Sequence, residues 1–233
     1  MTSKVRIKVS GEFACFTAPT EKVERVSYPV LTPSAARNML DSICWRKEMR
    51  WVVTCISVMK PIRYVSLRRN EVQSKISPAA VKSWMADPEK YEPLAAGAGA
   101  GRDGTQRNSV VLRDVEYVIE AYPLVFNETG DNTPMKYRAM MERRAEKGQC
   151  FQRPSLGCRE FVAHFSLADE SETPAPITED FGRMLYDIVF RPSGNRAIFF
   201  DAKLVDGVMD TRPEVVVQDE AMRMEVLQCS YRH

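Results

Sequence analysis

Apolar residues recur along this chain with two periods, and the changes of period divide it into elements. Val5, Ile7 and Val9 alternate with Arg6, Lys8 and Ser10, which predicts a strand over 5–10. The period then lengthens. Ala35, Ala36, Met39, Leu40, Ile43 and Cys44 fall on one helix face, with Thr32 as the cap, Pro33 at the first position and an end near Trp45. Strands are predicted over 50–59 and 109–126. A second helix opens at Thr133 and Pro134 and closes at Gly148, where glycine suits a left-handed C-terminal cap. Its Tyr137, Met141 and Ala145 form an apolar stripe. Lys136, Arg143 and Lys147 form a basic one, with Met140 beside them. A strand over 158–167 follows. The order βαββαβ is the split ferredoxin-like arrangement of the α+β class, shared by RNA-recognition domains.

Two regions depart from this order. Between Lys60 and Arg107 lies a basic insertion, with a short helix from Ser77-Pro78 through Met85 and a glycine-rich, flexible stretch over 95–105. GAGRDG in that stretch matches G-x-G-x-x-G but leads into a strand rather than a helix, so it is not a dinucleotide loop. From Asp169 to Gly182 the chain is acidic and holds Pro174 and Pro176, as a linker does. MLYDIVF and AIFFDAKLVDGVMD then read as strands of a small antiparallel β region, with Arg212-Pro213 ending the ordered pattern. The expected division is a ferredoxin-like domain over 1–168, its insertion at about 60–108, and a linker and β region over 169–233.

Charge sharpens the division. Net charge is only +2, but residues 1–159 carry 26 basic and 17 acidic groups, and residues 160–233 carry 7 and 14. The first two thirds therefore offer a face for a polyanion. Six cysteines (15, 44, 55, 150, 158, 229) include no C-x-x-C pair, and His164 and His233 are the only histidines. That composition argues against a zinc site and against a Ser-His-Asp site. His164, in FVAHF, reads as a satisfied structural histidine. The N-terminus lacks the apolar core of a signal peptide, and the longest apolar run, 51–59, is too short to span a bilayer, so a cytoplasmic protein with reduced thiols is expected.

Three stretches in order, GEFACFTAPTEKVERVSYPVLTPSAARNMLDSICW, MKPIRYVSLRRNEVQSKI and RRAEKGQCFQRPSLGCREF, resemble the d-type of the CRISPR-associated Cas five family. The resemblance runs from about Val5 to near Phe190. It implies an RRM-like fold of the RAMP group and an endoribonuclease that uses no metal or other cofactor. Such an enzyme cuts CRISPR repeat RNA and keeps the 5′ handle of the crRNA. The implied partners are that RNA and the backbone and large subunits of the type I-C interference complex, with no membrane. The implied catalytic set is a Tyr ending the first helix and a Lys-His pair opening the second. Lys136 matches the Lys; Tyr137 stands at the His position and Cys44 at the Tyr position. Their bland alternatives are a solvated face for Lys136, packing for Tyr137 and a core thiol for Cys44. Arg63, Arg68, Arg69, Asn70 and Lys75 lie in the insertion that the family uses as a thumb, and Arg143, Lys147 and Arg153 lie on and after the basic helix. All are candidate phosphate ligands, with Tyr64, Trp45 and Phe151 as candidate stacking partners. Two further readings remain: a subunit that binds the 5′ handle without cutting, and a general nucleic-acid binder that also grips duplex DNA.

Overall fold

The structure is a computed structural model that describes residues 3–21, 24–91, 104–191 and 193–228. Most of the glycine-rich stretch expected at 95–105 lies outside the described residues, as do Cys229 and His233.

The expected βαββαβ order is present. Strand β1 (Val5–Ala14) is followed by a short β2 (Arg25–Val26), helix α1 (Pro33–Ile43) and β3 (Met49–Val58). The insertion supplies β4 (Tyr64–Val72) and α2 (Pro78–Ala86). The long β5 (Gly104–Val125), α3 (Pro134–Glu146) and β6 (His164–Leu167) complete the repeat. In the sheet β6, β1, β5, β3 lie side by side, all antiparallel, which is the 4-1-3-2 order of a ferredoxin-like sheet. β5 is the hub: β1, β2, β3 and β4 all pair with it.

Local chemistry explains both helices. The hydroxyls of Thr32 and Thr133 accept from the amides of Ala35 and Lys136, and proline follows each cap. Gly148 adopts φ 60° just past α3. Both helices pack on one face of the sheet. Ala36, Met39, Leu40 and Ile43 of α1 and Tyr137, Met141 and Ala145 of α3 meet Ile7, Val9, Trp51 and Ile119 in the core.

Two expectations are corrected. The strand expected over 158–167 begins only at His164. Before it the chain folds on itself, with the Leu156 amide donating to the Phe161 carbonyl (2.7 Å) and the Ala163 amide to the Pro154 carbonyl (2.9 Å). Gly157, at φ 87°, lets this turn press on β1: a Cβ there would sit 1.9 Å from the Cys15 carbonyl oxygen. In the insertion, β4 extends the upper part of β5 into a long hairpin. Pro213 opens a helix instead of ending order. α4 (Pro213–Val216) is followed by α5 (Glu220–Gln228), whose first turn is capped by the Asp219 carboxylate on the Met222 amide.

The C-terminal hairpin of β7 (Glu179–Val189) and β8 (Arg196–Leu204) is antiparallel, as expected. It is tied to the main sheet. β9 (Val208–Asp210) pairs with the free edge of β3. The Thr211 hydroxyl donates to the Val53 carbonyl and the Tyr186 hydroxyl to the Thr211 carbonyl. Arg37 of α1 and Arg50 of β3 each place a guanidinium nitrogen 2.6 Å from one oxygen of Asp187 on β7, all three side chains being buried. β3 is thus covered on both faces, which is why it reads as a continuous apolar run. The acidic segment before β7 is anchored too, by Lys8 on Glu172 (2.6 Å) and by the Ala175 amide on the Val58 carbonyl (2.8 Å).

Candidate active site and nucleic-acid interface

The turn from α1 into β3 and the N-terminus of α3 meet over a cleft of about 350 Å³ lined by Arg46, Glu48, Asn132, Lys136 and Tyr137. Each backbone is held. The Phe126 amide donates to the Glu48 carbonyl at 2.9 Å, and Met49 pairs with Val125 as β3 begins. Thr133 caps the helix that carries Lys136 and Tyr137.

The three residues singled out as a catalytic set occupy different layers. Lys136 is exposed, with its Nζ 5.8 Å from the centre of the Tyr137 ring. At the helix N-terminus it adds to the partial positive charge of the free amides. The Tyr137 ring is buried with Met141, and its hydroxyl donates to Asn132 Oδ1 at the cleft. Burial, and then the negative charge of Glu48, push its phenol above the ordinary value, with Arg46 opposing. Cys44 lies beneath, with no exposed surface, and burial raises its thiol. Its carbonyl, the C-terminal acceptor of α1, takes the Trp51 indole N–H at 2.7 Å. The structure therefore gathers Lys136 and Tyr137 at one cleft and leaves Cys44 behind its wall.

Arg46, Glu48 and Asn132 complete the cleft and were not singled out from the sequence. In RKEMR the charges alternate too quickly to suggest a face. The usable signal is that Glu48 is the only acid in that basic turn.

The candidate phosphate ligands form two groups. In the thumb hairpin, β4 alternates between exposed and half-exposed residues. Arg68 and Asn70 share the exposed face and stand opposite Asn108 and Gln106, and Arg68 Nε donates to Asn108 Oδ1 at 3.2 Å. Arg69 points to the other face, where it pairs with Glu160 and lies 5.8 Å over the Phe161 ring. Lys75 is exposed beyond the strand, and Arg63, at the hairpin base, lines a cleft with Lys60, Arg113 and His164. His164 is exposed there, where a satisfied structural histidine was expected. The second group, Arg143, Lys147 and Arg153, is exposed on and after α3, as is Phe151.

The Cas5d family model, described as "CRISPR-associated protein (Cas_Cas5)", matches residues 5–223. The CRISPR pre-crRNA endoribonuclease Cas5d of Mannheimia succiniciproducens is 44% identical over 222 residues, covering 91% of this chain and 96% of that one. The protein of the same name from Thermus thermophilus is 39% identical over 188 residues, 81% of this chain and 74% of that one. Among solved structures, a CRISPR-associated protein superposes with a TM-score of 0.61 at 23% identity, over 89% of this chain and 90% of that chain. A functionally uncharacterized Streptococcus mutans protein gives 0.62 at 19%, over 91% and 93%. At those identities the likeness is one of fold.

Proposed function

This chain belongs to the Cas5d family of CRISPR-associated proteins, and we propose on that premise that it is an endoribonuclease of CRISPR repeat RNA. It cuts by attack of a 2′-hydroxyl on the adjacent phosphate, without a metal ion. The observation that carries the reading is Lys136, exposed at the N-terminus of α3 on the rim of a cleft shared with Arg46 and Tyr137. A cation in that place favours the extra negative charge of a phosphorane over that of the ground-state diester. Tyr137, held in its protonated form, is suited to give a proton to the departing 5′-oxygen. The products are a 2′,3′-cyclic phosphate and a 5′-hydroxyl.

Arg143 and Lys147 continue the cationic surface along α3, while Arg68, Asn70 and Lys75 offer a second surface on the thumb. We propose that these hold the repeat-derived 5′ handle after the cut, in the cytoplasm, as a subunit of the type I-C interference complex. The described residues up to 168 carry the RNA-facing groups, and those from 169 to 228 that are described brace them.

The rival reading is a subunit that binds the handle without cutting. What favours it is that Cys44 is sealed and the Tyr137 hydroxyl is engaged by Asn132. Incubating the purified chain with end-labelled repeat RNA in EDTA separates the two. Cleavage is expected, and a 2′-deoxy substitution at the cut site should abolish it. Cleavage restored only by added metal would overturn the chemistry, and intact but tightly bound RNA would leave the binding reading. Excess duplex DNA in the same reaction is expected not to compete.

A further inference from the structure

Attack by a 2′-hydroxyl requires a group that accepts its proton, and the lining of the cleft narrows the choice. Arg46 and Lys136 are cations, and a guanidinium has no acceptor. Asn132 already accepts from the Tyr137 hydroxyl. Tyr137 is kept protonated by burial and by Glu48. Cys44 has no exposed surface. Glu48 remains. It is half-buried, on the residue that precedes β3, and its backbone is fixed by the Phe126 amide. Its carboxylate forms no ion pair within 4.0 Å with another described residue, although two cations line the same cleft. By contrast the buried Asp187 is clamped by two arginines.

We infer that Glu48 is the general base of the cleavage reaction, an inference that rests on the endoribonuclease reading above. One carboxylate oxygen takes the 2′-hydroxyl proton as the 2′-oxygen bonds to phosphorus. The bond from phosphorus to the 5′-oxygen breaks, its electron pair stays on that oxygen, and the Tyr137 hydroxyl supplies the proton. Lys136 and Arg46 face the non-bridging oxygens. The step leaves Glu48 protonated and Tyr137 deprotonated, and exchange with water restores both.

The test is the single-turnover cleavage rate of labelled repeat RNA against pH, in EDTA, for the parent, Glu48→Gln and Glu48→Asp. RNA affinity and the thermal midpoint are measured alongside. Glu48→Gln should lower the rate by about 10²–10⁴, the usual contribution of a positioned base, and remove the acidic limb of the profile while RNA is still bound. Glu48→Asp should keep that limb and part of the rate. A Gln variant with the parental rate and profile would place the base elsewhere and leave the endoribonuclease reading intact. If the Gln variant does not fold, an Asp variant indistinguishable from the parent overturns the assignment. A parent that binds repeat RNA but never cuts it overturns the endoribonuclease reading, and the assignment with it.

Discussion

Two clusters of charge are rooted in the same stretch, from α1 into the start of β3, and they are built in opposite ways. Around Asp187, Arg37 and Arg50 converge on one carboxylate, with all three side chains no more than 7% exposed. Around the cleft a few residues away, Arg46, Glu48 and Lys136 reach partial or full exposure and form no ion pair among the described residues. Buried charge must be paired to be tolerated, so the first cluster can only hold the fold together. Unpaired charge at a water-filled cleft costs little and stays available to a substrate, so the second can do chemistry. Commitment of charge, more than its presence, separates bracing from function in this molecule.

The contrast can be broken from either side. Asp187→Ala removes the carboxylate on which two buried arginines converge and should lower stability by about 3–5 kcal/mol. Chemical denaturation would show it, and cleavage per folded molecule should be unchanged. Lys136→Ala should do the reverse, lowering the single-turnover rate by about 10²–10³ with little change in the denaturation midpoint or in RNA affinity. Normal cleavage by that variant would move the active site elsewhere.

Two smaller effects sharpen the contrast. Asp41 sits at the edge of the buried cluster, 3.8 Å from Arg37, and burial pushes its carboxyl up to about 6, with Arg37 and Arg50 opposing. Its folded value thus lies above the unfolded value of about 3.9. The folded state binds more protons in that window, so this residue lowers stability as pH rises from about 4 to about 6. Asp41→Asn should flatten the dependence there; an unchanged slope would assign it to other groups. On the thumb, Arg68→Ala should reduce the log–log salt slope of RNA binding by roughly 0.7–0.9. Arg69→Ala should change it far less, because Glu160 already engages that charge. Equal losses would mean that the ion pair opens on RNA.

The split between what was and was not legible in the sequence follows the range of the interactions. The caps at Thr32 and Thr133, the stop at Gly148 and the apolar stripe of Tyr137, Met141 and Ala145 are written within one or two helical turns, and they were read directly. Residues 158–161 of the turn were read as strand because its cause, the close approach of Gly157 to Cys15, spans most of the chain. The strand character of β4 was hidden because its alternation is between exposed and half-exposed residues, with no apolar core to mark it. The same holds for the site. Lys136 was visible through family resemblance, and the separation of Arg68 from Arg69 needed the pairing register with β5. Glu48 could be seen only once the turn was folded against α3.

The position of β5 has a consequence for how the molecule comes into being. β1, β2, β3 and β4 all precede it in the chain and all pair with it, so Val5 has no partner until Ala121 has been made, and Tyr64 none until Leu112. During synthesis the first hundred residues can form α1 locally but cannot pair any of these strands with its partner on β5. When β5 emerges, four waiting strands close on it across long loops, the kind of topology that folds slowly. β6 and β9 then seal the two edges, the last of them from residues 208–210. The nascent chain therefore carries unpaired strands for more than half its length, and its sheet is assembled outward from the middle.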